Sequence, residues 1–382
     1  MTVADWYFPP YTATIADVLP AALASIGHPV ASGEESGRPI VTLPPARAAV
    51  VALIDGLGEE QLRRRSGHAP FLRRLGSAAP DLRCGFPSTT ATSLTSLGTG
   101  LSAGQHGVIG TLAPTPDGLD LFSHLTWEGG PDPAAYQPKP TLLHTAAEAG
   151  VAVSTVSRPA FKGSGLTRVA LHGGSFVGAA TSDQRVAATL HALRQAKGPT
   201  LIYLYIDEVD KAGHGFGPDS LPWGESVENA DQIVREIAAG MPPGTSLTVT
   251  ADHGMIEAPH ALRFDVATDP DLADGVRLVG GDPRAAHVFC EPGAAEDVTT
   301  RWRATMGEAA IIASRDEAIA EGWFGPVFDN NRSRIGDLVV VMTGQYTVLD
   351  SRSCRPAFLQ LLGHHGSMSD AETKIPLLHL PA

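Results

Sequence analysis

The chain is poor in cysteine. Cys84, Cys290 and Cys354 lie far apart, their odd number leaves at least one unpaired, and no Cys-x-x-Cys or Cys/His ribbon spacing occurs. That speaks against a disulfide framework or a zinc ribbon; three small buried hydrophobes in a reducing compartment is the plain expectation. Basic residues are outnumbered, 28 Lys and Arg against 41 Asp and Glu, for a formal charge of −13. Such a surface repels a nucleic-acid backbone, so no polymer of that kind is expected as a partner. The N-terminus lacks a basic segment followed by an apolar run, and no run reaches membrane-spanning length. The expectation is a cytoplasmic address without secretory signal or membrane partner. Aromatic residues make up 6%, too few to assign base stacking to any Phe or Tyr. There is no repeat and no low-complexity tract.

What is present is apolar and patterned. With 43% hydrophobic and 18% charged residues over 382 positions, the chain reads as globular with a large core. Residues 47–54 (RAAVVALI) form a continuous apolar run that stops at Asp55-Gly56, as a strand buried on both faces does. Similar runs recur at 151–156, 200–206 and 245–251, separated by helical patterns at 141–149, 184–196 and 227–239. This alternation predicts an α/β fold, a mostly parallel central sheet with helices on both faces. Ligands of such sheets gather beyond the carboxyl ends of the strands. Asp55, Asp207 and Asp252 each follow a strand-like run and are expected at that edge.

Residues 1–45, rich in Pro, Gly and Ala, read as an extension packed on a catalytic domain spanning 46–382. From about 257 to 350 the character changes. Pro-Gly turns, strands at 276–280, 285–291 and 335–342, and a helix at 294–304 suggest a smaller α+β cap inserted into that domain.

The chemistry-bearing residues are scattered Asp and His in short motifs: Asp55 in IDGLG, Asp210 and His214 in DKAGH, Asp252 and His253 in TADHGM, His365 in GHHG. A metal that activates a hydroxyl needs carboxylate and neutral imidazole ligands with one position open. Asp210 and His214 share a side if the chain is helical there. Asp252 and His253 can both ligate if the backbone turns, which Gly254 permits. Each piece alone has a plain structural reading: a helix cap for Asp55, a salt bridge for Asp210 with His214, a solvated loop pair for His364-His365. The segment FPSTTATSLTSLGTG reads as a loop entering a helix, with Ser88, Thr89 and Thr90 at the helix start, where backbone N–H groups attract anions. These hydroxyls supply cap candidates and nucleophile candidates alike.

In this order the motifs IDGLG, FPSTTATSLTSLGTG, QHGVIG, DKAGHGFGP, TADHGM and HHG resemble the alkaline phosphatase superfamily, most closely its nucleotide pyrophosphatase/phosphodiesterase branch, from residue 54 to 366. The resemblance implies two zinc ions, with manganese or iron able to use similar ligands. One would be held by Asp55, Thr90, Asp252 and His253, the other by Asp210, His214 and His365. It implies that Thr90, two residues beyond Phe-Pro, is the nucleophile. Where many members carry an asparagine that donates to a phosphoryl oxygen, this sequence has Thr111, a shorter donor. Lys162 and Arg158, in SRPAFKGSG, are candidates for a clamp on a monoester dianion; both also read as solvated loop charges.

The activity implied is hydrolysis of phosphodiester or nucleotide pyrophosphate bonds through a phosphothreonine on Thr90. The substrate would be a small phosphorylated molecule such as a nucleotide or a diester. A phosphomonoesterase or phosphonate hydrolase on the same scaffold is the nearest alternative, and a phosphosugar mutase a more distant one. A protein that binds a phosphoryl ligand without cleaving it is the alternative of another class. Natural substrate and oligomeric state are not legible.

Overall fold

A computed structural model describes residues 13–30, 41–79 and 81–382. Part of the expected N-terminal extension, 1–12 and 31–40, lies outside the described residues. Two sheets organise the rest.

The central sheet has seven strands in the order Gly76–Ser77, Leu377–Leu380, Thr245–Thr250, Ala48–Ile54, Thr200–Ile206, Ala152–Ser157 and Ser175–Gly178. The last five are mutually parallel; Leu377–Leu380 runs antiparallel to Thr245–Thr250, and Gly76–Ser77 antiparallel to it in turn. Every residue of Ala48–Ile54 and Thr200–Ile206 is buried, because helices cover both faces. Burying a Val, Leu or Ile side chain contributes about 1.5–3 kcal/mol, so these two strands anchor the main core.

The flanking helices follow their sequence signals. In Ser182–Gln195, Thr181 and Gln184 form a capping box, satisfying amide donors that the first turn leaves free. The longest helix starts at Leu221, earlier than the 227 expected from apolar periodicity, and ends at Gly240. Ser220 accepts from the Trp223 amide and Pro222 occupies the first turn, a preorganised start. Trp223, Val227, Ala230, Val234 and Ile237 face the core at the 3.6-residue period. The helix Thr90–Thr99 is entirely buried despite its hydroxyls. Thr95 and Thr99 satisfy theirs by donating to the carbonyls four residues back, at 2.7 and 2.6 Å.

The second sheet is antiparallel, six strands in the order Ala310–Ser314, Leu338–Met342, Ala285–Cys290, Val276–Asp282, Leu112–Pro114 and Leu121–Ser123. Its last two strands come from the chain just after QHGVIG. This sheet thus reaches back beside the segment that opens the helix Thr90–Thr99. The strand expected at 335–342 begins at Leu338, and the helix expected at 294–304 runs Ala295–Met306. Among the described residues, no helix is long and apolar enough to cross a membrane. All three cysteines are free, Cys84 and Cys290 buried and Cys354 partly exposed.

Candidate metal centre

Asp55 follows the central strand directly, its amide donating to the Ile206 carbonyl of the neighbouring strand at 2.9 Å. Asp252 and His253 follow Thr245–Thr250, the strand on the other side. The two strand ends are stitched by Gly56, whose N–H donates to Asp252 Oδ1 at 3.0 Å. Gly56 has φ +73°, and a Cβ there would lie 2.9 Å from Asp210 Cα and Cβ. Only glycine satisfies both the left-handed backbone and the close approach. Asp210 and His214 lie on one side of the helix Glu208–Phe216, as their spacing predicts. His365 hangs from a loop tied to the segment before Thr90: Ser88 Oγ donates to the Ser367 carbonyl at 2.7 Å and accepts from the Gly366 amide at 3.1 Å.

These side chains converge on two adjacent clusters. In one, His253 Nε2 lies 3.1 Å from Thr90 Oγ1, 3.4 Å from Asp55 Oδ1 and 3.6 Å from Asp252 Oδ2. In the other, His214 Nε2 lies 3.3 Å from His365 Nε2 and 3.4 Å from Asp210 Oδ1. Potential ligand atoms of Asp210, His214 and His365 all fall within 4.8 Å of one another, as do those of Asp55, Asp210 and His253. Asp210 therefore stands between the clusters. The rings of His253 and His365 stack, centroids 3.7 Å apart and planes at 18°.

The donor set fits a pair of divalent cations. Asp55 Oδ1, Asp210 Oδ1 and Asp252 Oδ2 are buried without a hydrogen-bond partner, and an uncompensated buried carboxylate costs several kcal/mol. Each imidazole commits Nδ1 to a backbone carbonyl: His214 to Gly363 at 2.7 Å, His253 to Gly254 at 2.9 Å, His365 to Ser88 at 2.9 Å. A carbonyl only accepts, so Nδ1 carries the hydrogen and Nε2 presents a lone pair inward, the tautomer a metal ligand requires. Ligands about 2.0–2.1 Å from a tetrahedral ion sit about 3.3 Å apart, close to the spacings within each cluster. Burial, then repulsion from Asp252 and Asp210, pushes the Asp55 carboxyl well up. Burial, then the neighbouring His253 and His214, pushes His365 well down. A cation would lift the first penalty, and a neutral His365 is ready to ligate.

Thr90 opens its helix, with Thr89 at the cap position. Thr89 makes no capping bond. Its hydroxyl donates instead to Asp282 Oδ1 at 3.2 Å, so the plain capping role expected of this hydroxyl run does not apply there. Thr111 lies beside it, Oγ1 3.0 Å from Thr89 Oγ1, with its amide donating to Asp282 Oδ2 at 3.1 Å. Burial pushes the Asp282 carboxyl up to about 6.

A cavity of about 500 Å³ opens over the Asp210, His214 and His365 cluster and touches the other cluster at Thr90, while Asp55, Asp252 and His253 lie behind its lining. Thr90, Asp210, His214, His365 and Thr111 line it, and Leu112, Leu121 and Phe122 extend it as an apolar wall. Arg158 and Lys162, candidates for a substrate clamp, are not among its lining residues. Arg158 is held by acids at the neighbouring strand end, Nε donating to Asp207 at 2.7 Å and a terminal nitrogen to Glu208 at 2.8 Å, and Lys162 is exposed. Asp207 reaches the expected sheet edge but is claimed by Arg158, Arg185 and Lys211 and joins neither cluster.

Two contributors were not legible in the sequence. Tyr205 donates its hydroxyl to Asp55 Oδ2; its only signal was an aromatic residue one strand over, inside a buried run. Asp282 ends the strand Val276–Asp282, and Gly-Asp-Pro reads locally as a turn.

A family model described as type I phosphodiesterase / nucleotide pyrophosphatase matches residues 49–368. Venom phosphodiesterase of Naja atra is 29% identical over 253 residues, covering 60% of this chain and 29% of that protein. The chain thus matches less than a third of the length of that relative. Among solved structures, an inactive threonine-to-alanine variant of murine ectonucleotide pyrophosphatase/phosphodiesterase 5, in complex with AMP, superposes with a TM-score of 0.68 at 19% identity over 87% of each chain. Phosphonoacetate hydrolase from Sinorhizobium meliloti, in complex with phosphonoacetate, gives 0.67 at 19% identity over 90% of this chain and 92% of its own. These two establish a shared fold.

Proposed function

The chain belongs to the type I phosphodiesterase/nucleotide pyrophosphatase family of the alkaline phosphatase superfamily, and from that premise we propose that it hydrolyses phosphate esters, diesters or nucleotide pyrophosphates foremost, through a phosphothreonine on Thr90. One observation carries the reading. The Thr90 hydroxyl stands 3.1 Å from His253 Nε2, at the start of a buried helix, among three carboxylates whose inward oxygens have no protein partner.

Two zinc ions are the proposed cofactor, one at Asp55, Thr90, Asp252 and His253, the other at Asp210, His214 and His365. When bound, such ions polarise phosphoryl oxygens and make hydroxyl or water more acidic. The chain supplies the rest. Without a cation the Thr90 hydroxyl donates to His253 Nε2; with that lone pair committed to a cation, the hydroxyl proton would pass to water before attack. Thr90 Oγ1 then bonds to phosphorus as the bond to the leaving alcohol breaks, giving phosphothreonine. Water attacks phosphorus from the side the alcohol vacated, freeing Thr90 and a phosphate product. The first-turn amides of Thr90–Thr99 face the developing charge, and phosphoryl transfer asks little beyond positioning and charge stabilisation.

The test is a panel of aryl diester, aryl monoester, nucleotide pyrophosphate and phosphonate with zinc added. Turnover of the diester or the pyrophosphate is expected. Binding of all four without turnover of any would contradict the reading and favour a non-catalytic phosphoryl-binding role.

A further inference from the structure

The wall of the cavity facing Thr90 carries a carboxylate that the catalytic reading does not use. Asp282 is buried, 7% exposed, and lines the cavity with Thr89, Thr90 and Thr111. It is placed there by the edge-on meeting of two strands, Gly281 pairing with Leu112. A side chain on Gly110 would come within 2.9 Å of Gly281 Cα and 3.1 Å of Asp282 Oδ2. Glycine at 110 is what lets the Thr111 amide reach Asp282.

The hydrogen bonds around Asp282 have a fixed sense. Thr89 has one hydroxyl hydrogen, and it goes to Asp282 Oδ1. The Thr111 hydroxyl hydrogen is likewise taken up within this group, by Thr89 at 3.0 Å or by the Asp282 carboxylate. With its only hydroxyl hydrogen so committed, Thr111 turns lone pairs, not a donor, toward the cavity. The nearest basic residue in sequence does not offset the carboxylate. Arg284, two residues on, is turned onto Glu372 by two bonds of 3.0 and 2.8 Å. Arg355, the only Lys or Arg among the lining residues, pairs with Glu128 at 3.5 Å where both are exposed.

We propose that Asp282 is a specificity-determining residue that makes this site favour singly charged phosphate diesters over doubly charged monoesters. The inference rests on the phosphate-ester reading above. A monoester dianion brings three charged oxygens, and the one turned to this wall meets a carboxylate and an acceptor oxygen. A diester replaces that oxygen by an ester substituent. Beyond Thr111 the same wall continues as Leu112, Leu121 and Phe122, apolar surface suited to such a substituent. A charge of this kind, poorly screened inside a cavity, discriminates strongly between ligands that differ by one charge.

Asp282→Asn tests it with little change of shape. The amide oxygen can still accept from the Thr111 amide, and the amide nitrogen donates to Thr89. That reverses the hydroxyl chain and leaves Thr111 a donor into the cavity. Zinc-loaded wild type and variant would be compared on bis(p-nitrophenyl) phosphate and p-nitrophenyl phosphate near pH 8, where the carboxyl is ionised. The ratio of diester to monoester kcat/KM should fall about tenfold or more in the variant. A ratio within about twofold of wild type, or equal loss of both activities, overturns the proposal. A second measurement needs only wild type: calorimetric affinity for phenyl phosphate, a dianion at this pH, and for its monomethyl ester. The ester should bind at least as tightly; a dianion bound about tenfold more tightly overturns the proposal. Wild type inert toward both esters sinks the hydrolase reading and this inference with it, whereas active wild type with an unmoved ratio sinks this inference alone.

Discussion

His214 and His365 present their Nε2 atoms to each other at 3.3 Å, while each Nδ1 hydrogen is held by a backbone carbonyl. With both rings neutral, two lone pairs point at one small volume, with Asp210 Oδ1 3.4 Å from His214 Nε2. Without a cation this contact is repulsive; with one it becomes a ligand set.

Metal removal should therefore destabilise the fold as well as end turnover. A cation that binds the native state alone stabilises it by about 2.7 kcal/mol at a hundredfold excess over its Kd. Treatment with a chelator should lower the melting temperature by several degrees, and added zinc should restore it. An unchanged melting curve would mean the clusters bind no cation in solution.

Thr90→Ala should lower kcat about a thousandfold or more while zinc content stays near the wild-type value. Thr90→Ser should retain part of the activity, since it keeps the hydroxyl. The measurement pairs single-turnover rates with metal analysis. An alanine variant with near-normal kcat would remove Thr90 from the nucleophile role.

Gly56→Ala should be costly out of proportion to one methyl group. Its backbone is left-handed and its new Cβ would press on Asp210 at 2.9 Å. The expected destabilisation is about 2 kcal/mol or more, read from the urea midpoint, with reduced zinc affinity because both Asp210 and Asp252 are displaced. Wild-type stability and zinc binding would show that the close approach is not needed.

Acid should unfold the protein early. Burial holds His106, His287 and His364 down at about 3 and His124 at about 4. Unfolded, each titrates near 6.5. Between those values the unfolded chain binds more protons than the native one, so stability falls as pH drops below about 6.5. Asp282, held up at about 6, works the other way: its native form keeps a proton that the unfolded chain releases, which favours the fold as pH falls through 6. Four histidines outweigh it. Unfolding at about pH 5.5 should take up two protons or more, measured from the pH dependence of the urea midpoint. A flat dependence between about pH 5 and 7 would contradict this.

The parallel sheet was legible because its strands are continuous apolar runs, and the strand-end acids Asp55 and Asp252 were legible with them. Asp210 and His214 announced themselves by helical spacing. What escaped depends on distant pairings. Asp282 meets Thr111 across 171 positions, in an edge register that no local pattern encodes. Arg158 looked free in its own loop because the acids that hold it, Asp207 and Glu208, are 49 and 50 positions away. The helix expected from 227 begins at Leu221, because Ser220 and Pro222 supply a start that apolar periodicity does not register.

The proposed pairing of two cation sites, built by distant segments, flanks one threonine oxygen. Anomalous diffraction at the zinc edge, on crystals of protein prepared with zinc, tests it most directly. Two peaks are expected, one among Asp55, Thr90, Asp252 and His253, the other among Asp210, His214 and His365. No peak at either cluster, or zinc held elsewhere on the chain, would contradict the account.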